Sequence, residues 1–209
     1  MDNQFEETIS TRERLREIID EPSDLLTNKT TDHIDPICQR FIAASPYILV
    51  ASKGSDGLMD LSPKGDAAGF VYVVDKKTLA IPDRLGNNRA DTFENLFVDS
   101  QIGIIFIIPG YNFTLRVSGT GSIVRDTCLQ EKLSVGGKVP NLILAVTVEE
   151  AFMHCAKSMA RSNIWKPEAW PDISDVPTLA EAMVAHGKLA ETRIQMQDII
   201  DHDFENRMY

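Results

Sequence analysis

The chain has 209 residues, of which 43% are hydrophobic and 25% charged, and its formal net charge is −10. The acidic balance argues against nucleic-acid and anionic-membrane partners, and no apolar run approaches the roughly 20 residues of a membrane helix. The N-terminus is charged throughout and has no apolar signal segment, so we expect a cytoplasmic protein. The four histidines form no ligand cluster, and we expect no metal site.

We expect a single domain over residues 1–209, with helices in 1–45, a β-rich body in 46–148 and a helical extension in 149–209. Asp35–Pro36 is typical of a helix start. The body contains short apolar runs bounded by Gly, Pro, Asn or Asp: YILVAS, GLMDLS, GFVYVV, TLAI, IGIIFII, FTLRVSGTGSIV and LILAVTV. Short strands at such close spacing predict an antiparallel barrel or sandwich. The GTGS segment inside one run predicts a turn.

Two helices are predicted within the body. The first runs from residue 89 to about 97, with Asn88 as its cap and Asp91 three residues later. The second spans about 126–133. Beyond the body, a long amphipathic helix is predicted from about 178 to 200.

Ser62, Lys64 and Gly65 lie in SPKGD, which follows one β-run and precedes the next. Ser and Lys in a turn can donate hydrogen bonds to a polar ring edge or a phosphate, and glycine permits close approach. A solvated hairpin turn explains the same residues and is the more common case.

A second polar segment ends a strand and begins a helix within nine residues, 81–89. It contains Pro82, Asp83, Arg84, Asn87, Asn88 and Arg89. Arginines beside the free N–H groups of a helix start would bind a phosphate. The alternative is that Asn88 only caps the helix and both arginines face water. Residues 53–89 contain six basic and five acidic residues, so this segment does not share the excess of acidic residues found in the chain as a whole.

A third group follows Val148, where EEAFMHCAKSMARS predicts a helix with His154, Lys157 and Arg161 at i, i+3 and i+7. Trp165 lies just beyond. A cationic stripe that ends in an aromatic residue suits a flat anionic cofactor. A solvated helix face is the competing interpretation.

Taken together, SPKGD, GFV, TLAIPDR…GNNR, DTFENLFVDSQIG, IIFIIPG, TLRVSGTG and AFMHCAKSMARSNIW resemble the FMN-binding split-barrel proteins related to pyridoxamine 5'-phosphate oxidase. The similarity is greatest to a branch of FMN-dependent enzymes of unassigned substrate. It implies a mainly β fold with flanking helices, a six-stranded antiparallel split β-barrel. It also implies a homodimer with FMN at the subunit interface.

The resemblance implies a role for each candidate residue. Asn88 and Arg89 would bind the FMN phosphate with help from Arg84, within the segment that also contains Pro82, Asp83 and Asn87. Ser62 and Lys64 would contact the ring or the ribityl chain, with Lys64 near N1 and C2=O. Lys157, Arg161 and Trp165 would approach from the partner subunit. No residue stands out as a general acid or base, which fits hydride transfer at flavin N5.

The resemblance thus implies an FMN-dependent oxidoreductase that acts on an unidentified small molecule, with NAD(P)H as a candidate donor. The arginine-rich C-terminal motif of true pyridoxamine phosphate oxidases is absent from this sequence, which argues against vitamin B6 oxidation. Two alternatives stay open: a non-catalytic flavin or haem carrier with His154 as axial ligand, and the same fold with a deazaflavin cofactor.

Overall fold

A computed structural model describes residues 5–208 of the chain. The chain divides into two compact units, Met1–Thr30 and Thr31–Tyr209. The described part of the first unit contains two short helices, α1 (Arg12–Ile18) and α2 (Asp24–Thr27). Nothing in this division tests the expectation of a single domain, which stays a prediction.

The second unit contains the sheet and the remaining helices. In chain order its described elements are α3 (Pro36–Ala44), β1 (Tyr47–Lys53), β2 (Met59–Gly65), β3 (Tyr72–Val73), β4 (Thr78–Pro82), α4 (Asp91–Leu96), β5 (Gln101–Ile107), β6 (Thr114–Val124), α5 (Thr127–Lys132), β7 (Ile143–His154), α6 (Lys157–Ser162), a 3₁₀ turn (Pro167–Ala169), α7 (Leu179–Gly187) and α8 (Arg193–Asn206).

The strands form one antiparallel sheet in the order β2-β1-β5-β6-β7-β4-β3. This confirms the predicted mainly β fold with flanking helices. The predicted strand number of six is wrong, because the two-residue strand β3 pairs with β4 and adds a seventh. Among the described residues β2 and β3 each pair on one side only, so the sheet is open and has two edges.

Alternating burial along the central strands places the core on one face of the sheet. Ile48 and Val50 of β1 and Ile104 and Phe106 of β5 are fully buried, with the residues between them facing the other side. Helix α3 packs Cys38, Phe41 and Ile42 into this core. It begins as predicted: Pro36 is its first residue, and the Asp35 side chain accepts a hydrogen bond from the Cys38 N–H.

The ladder between β6 and β7 contains a β-bulge at Ser118/Gly119. A Cβ on Gly119 would lie 1.9 Å from the carbonyl oxygen of Thr147, so only glycine fits there. The predicted turn at GTGS is wrong, because these residues continue β6 through the bulge.

The C-terminal third departs from the predicted helices. Residues 149–154 continue β7, which pairs with β6 as far as Thr114 and His154, so the helix α6 begins only at Lys157. The predicted helix 178–200 is two helices, α7 and α8, because Lys188 adopts a left-handed conformation (φ 50°) that ends α7. Among the residues described, no helix has the length and hydropathy needed to cross a bilayer.

Candidate functional site

One face of the edge strand β2 presents three half-buried polar side chains, those of Asp60, Ser62 and Lys64. Side chains alternate along a strand, so residues two positions apart share a face. The sequence predicted that Ser62 and Lys64 lie in a turn, which is wrong. The strand continues through Gly65, which pairs with Tyr47 of β1. Pro63 is tolerated there because β2 is an edge strand.

Lys64 lies in a partly desolvated position on this face. Its Nζ donates a hydrogen bond to the Ser62 Oγ at 3.3 Å. Burial lowers the pKa of Lys64, and the carboxylates of Asp83 and Asp60 partly oppose that effect. Burial likewise raises the pKa of Asp83, against the attraction of Lys64. The opposite charges of Lys64 and Asp83 therefore favour each other's ionised form in a partly desolvated site.

The segment that follows β4 is anchored by a buried ion pair. The Arg84 Nε donates to the Asp66 Oδ2 at 2.6 Å, and the two side chains are 17% and 1% exposed. Because Asp66 directly follows β2, this ion pair connects the segment 82–90 to the C-terminal end of that strand. Within the cavity, Arg84 already has a carboxylate partner.

The predicted start of the next helix is wrong. Asn88 and Ala90 both adopt left-handed conformations, with φ of 59° and 57°, so the chain cannot be helical before Asp91. The helix α4 has six residues, and its N-cap Ala90 makes no side-chain cap hydrogen bond. The Asn87 Oδ1 instead accepts a hydrogen bond from the Arg89 N–H at 3.0 Å. These residues form a folded loop and not a helix cap.

Arg89 lies at the exposed rim of this loop. Its Nε donates to the Asp91 Oδ2 at 2.7 Å, and its side chain is 72% exposed. The Asp91 carboxylate raises the pKa of Arg89. An exposed pair of this kind contributes little to stability.

A further wall is formed by residues 138–142, which the sequence analysis missed. Buried Gln130 donates its Nε2 to the carbonyl oxygens of Pro140 and Asn141, at 2.8 and 3.1 Å. At the start of the segment, Lys138 pairs with Val135 across a two-glycine turn. The GGK sequence, typical of a tight hairpin, was the signal that could have located it.

These three walls enclose a cavity of about 780 Å³. Its lining combines residues 60–65 of β2, the loop 82–93 and the wall 138–142. The sequence-predicted residues that line it are Ser62, Lys64, Pro82, Asp83, Arg84, Asn87, Asn88 and Arg89. Asp60, Phe70, Thr92, Lys138 and Asn141 line it as well, although the sequence did not single them out.

The other three predicted residues lie elsewhere in the same chain. Lys157 and Arg161 belong to α6, and none of the three lines the cavity. Trp165 donates its Nε1 hydrogen bond to the Tyr111 carbonyl oxygen at 3.1 Å. His154 lies on β7, with its ring 4.9 Å from that of Phe152, and so does not share a helix with Lys157.

The antiparallel sheet, its flanking helices and the cavity at its edge define a mainly β protein with a ligand-sized site. The family model described as pyridoxamine 5'-phosphate oxidase matches residues 34–155, which is more than half of the chain. The chain therefore belongs to the pyridoxamine 5'-phosphate oxidase family, as the sequence motifs indicated. No curated protein matches it significantly.

Several solved structures are similar to this chain at low identity. HupZ of Group A Streptococcus is 18% identical, with 57% of this chain and 93% of that chain covered and a TM-score of 0.47. An F420 reductase is 16% identical, with 54% and 94% covered and a TM-score of 0.43. HutZ, the haem storage protein of Vibrio cholerae, is 13% identical, with 58% and 93% covered and a TM-score of 0.40. Similarity this weak says nothing about the ligand of the present chain.

Proposed function

We propose that this protein is an FMN-dependent oxidoreductase that acts on a small molecule by hydride transfer at flavin N5. The observation that carries the proposal is the cavity of about 780 Å³ that joins the polar face of β2 to the loop 82–90. Cofactor sites of 300–1,000 Å³ are typical, and membership of the family supports a flavin. Vitamin B6 is not the proposed substrate, and NAD(P)H is the proposed electron donor.

The donor set of the cavity fits a phosphorylated, planar cofactor. Lys64 and Ser62 supply hydrogen-bond donors beside one wall, and Arg84 and Arg89 supply guanidinium groups in the adjoining loop. In addition, the Asp60 Oδ2 is buried and has no hydrogen-bond partner in the described part of the chain, so an acceptor is left for a ligand. The flavin supplies the redox chemistry when bound, whereas these residues bind and orient it.

The two arginines have different proposed roles. Arg84 is held in a buried ion pair with Asp66, so we assign it the role of stabilising the loop 82–90. Arg89 is exposed, and its pair with Asp91 is weak enough to be replaced by a doubly charged phosphate. The loop residues Asn87 and Asn88 would then contribute amide groups beside Arg89. The proposed binding site for the FMN phosphate, here called the phosphate seat, therefore consists of residues 87–89.

A homodimer is part of the proposal. The outer face of β2 exposes apolar side chains: Met59 is 62% and Leu61 67% exposed. Leu61 lies opposite Ala51 of β1, which lies opposite Gly103 of β5, so the apolar strip continues across three strands. Such a face suits a second copy of the chain. In that dimer, Lys157, Arg161 and Trp165 of the partner subunit would reach the FMN.

The cavity offers no support for the haem-carrier alternative. Haem iron is held in proteins by His, Cys, Met or Tyr. None of these residue types is present among the described residues that line the cavity, and His154 lies outside it. A flavin carrier without catalysis uses the same cavity, and turnover with NADH or NADPH distinguishes it from the enzyme.

The first test is the visible spectrum of the purified protein, followed by release and mass identification of the chromophore. Flavin absorption with the mass of FMN supports the proposal; a deazaflavin would give a different mass and spectrum. A colourless protein that takes up no added FMN contradicts it. Bleaching of the bound flavin by NADH or NADPH would then identify the donor.

The proposed phosphate seat is tested by Arg89→Ala. We expect FMN affinity to fall at least about tenfold, because a charge-assisted phosphate contact is lost. The matched control is Arg207→Ala, which removes the same charge from an exposed pair with Asp203 outside the cavity. Equal FMN affinity of the two variants would contradict the assignment of Arg89.

The dimer is tested separately by sedimentation velocity. Leu61→Glu places a charge in the apolar strip and should produce monomers, whereas Leu25→Glu, at an 87% exposed position in the first unit, should not. A Leu61→Glu variant that sediments like the wild type would exclude this face as the interface.

A further inference from the structure

Asp60 has a buried carboxylate oxygen that no described residue satisfies with a hydrogen bond. The side chain lines the cavity, and its Oδ2 has no hydrogen-bond partner within residues 5–208. An ionised carboxylate only accepts hydrogen bonds, and leaving such an acceptor buried and unpaired costs free energy. Asp60 belongs to no recognised motif and was not among the site residues predicted from the sequence. The free acceptor therefore points to a donor on a ligand.

The neighbours of Asp60 restrict what that ligand can be. Asp60, Ser62 and Lys64 share one face of β2, with Cα atoms of successive members about 6.6 Å apart. Lys64 folds back along the strand, because its Nζ lies 3.3 Å from the Ser62 Oγ. Lys64 also experiences the charge of Asp60, which favours its protonated form. A cationic donor, a hydroxyl and an anionic acceptor thus lie in one row.

This row matches a ring edge that presents an acceptor next to a donor. A carbonyl oxygen would face Lys64 and Ser62, and an adjoining N–H would face Asp60. The pyrimidine edge of a flavin has this pattern, since its imide N3–H lies between two carbonyls. A ligand ammonium is a poorer match, because the positive charge of Lys64 in the same row would repel it.

We propose that Asp60 accepts a hydrogen bond from the imide N3–H of the flavin ring and so selects the ring edge and its orientation in the cavity. The inference rests on the proposed function, which supplies the flavin. It adds a specificity-determining residue to the cavity, on the strand that also carries Lys64.

The test compares FMN with FMN methylated at N3, using quenching of flavin fluorescence to measure affinity in wild-type protein and in Asp60→Ala and Asp60→Asn. In wild type, methylation should weaken binding at least about tenfold, because it removes the donor and leaves Asp60 unpaired. In Asp60→Ala that ratio should fall toward one. Asp60→Asn keeps an acceptor of the same shape and should give an intermediate ratio.

Asp203→Asn is the matched control, because it neutralises a half-exposed carboxylate on α8 outside the cavity. It should keep the wild-type ratio between the two ligands. An affinity ratio in both Asp60 variants as large as that of wild type, or a ratio near one in wild type, would overturn the inference. If wild type binds FMN but does not discriminate, only the role of Asp60 is wrong. If wild type binds neither ligand, the proposed function itself fails.

Should Asp60→Ala not fold, Asp60→Asn decides the question. A ratio in Asp60→Asn equal to that of wild type counts against the inference, since a neutral amide oxygen accepts a weaker hydrogen bond than a carboxylate. A reduced ratio supports it.

Discussion

The buried ion pair between Arg84 and Asp66 should stabilise the fold more than the exposed pair between Arg207 and Asp203 does. The side chains are 17% and 1% exposed, and the Nε–Oδ2 distance is 2.6 Å. Asp66→Asn leaves the Arg84 charge without its partner in a poorly solvated position. Removing one partner of a buried pair typically costs about 3–5 kcal/mol. Because Arg84 keeps some contact with water, we expect a loss near the lower limit, about 3 kcal/mol.

Urea unfolding followed by tryptophan fluorescence measures this loss. Asp203→Asn is the matched control: Asp203 pairs with Arg207 at 2.9 Å, but both side chains are about half exposed. An exposed helical pair contributes only about 0.3–0.5 kcal/mol. The double variant Asp66→Asn/Arg84→Met should lose less than the sum of the single variants, because no charge is then left unpaired. The reasoning would be refuted if Asp66→Asn and Asp203→Asn lost equal free energies of unfolding. It would also be refuted if the loss in the double variant equalled the sum of the losses in the two single variants.

Three further perturbations have defined outcomes. Gly119→Ala should prevent folding or destabilise by several kcal/mol, since its Cβ would lie 1.9 Å from a carbonyl oxygen of β7; a soluble variant of near-native melting temperature would contradict the bulge. Gln130→Ala should weaken FMN binding by loosening the wall 138–142, and unchanged affinity would show that this wall does not contact the cofactor. Hydrogen bonds from His33 and then Lys77 lower the pKa of Asp32 to about 2. The stabilisation that ionised Asp32 provides is therefore fully present above the unfolded pKa of 3.8 and is lost as the pH falls through about 2. Asp32→Asn should make the urea midpoint depend less on pH over that range. A variant whose midpoint depends on pH as strongly as that of the wild type would contradict this prediction.

The helical errors of the sequence analysis share one physical cause. Residues 149–154 have a helical pattern, but β6 offers them a ladder of backbone hydrogen bonds as far as Thr114, and the pairing prevails over local preference. Similarly, the predicted cap Asn88 adopts a left-handed conformation, which begins no helix. Local pattern does not include the partner strand or the loop geometry, so element boundaries at these points could not be predicted.

The sequence by itself determined the family and the strands. Alternating and continuous apolar runs from Tyr47 to Val148 predicted the strands, because burial of one sheet face requires that pattern. The motifs SPKGD and TLAIPDR…GNNR together contain the eight predicted residues that line one cavity. Only the tertiary structure decided which carboxylate pairs with which arginine. Asp66 pairs with Arg84 across 18 positions, whereas the buried Oδ2 of Asp60 accepts no hydrogen bond from the part of the chain that the structure describes. Such pairings depend on the distances between strands and loops far apart in the chain, which no local spacing encodes.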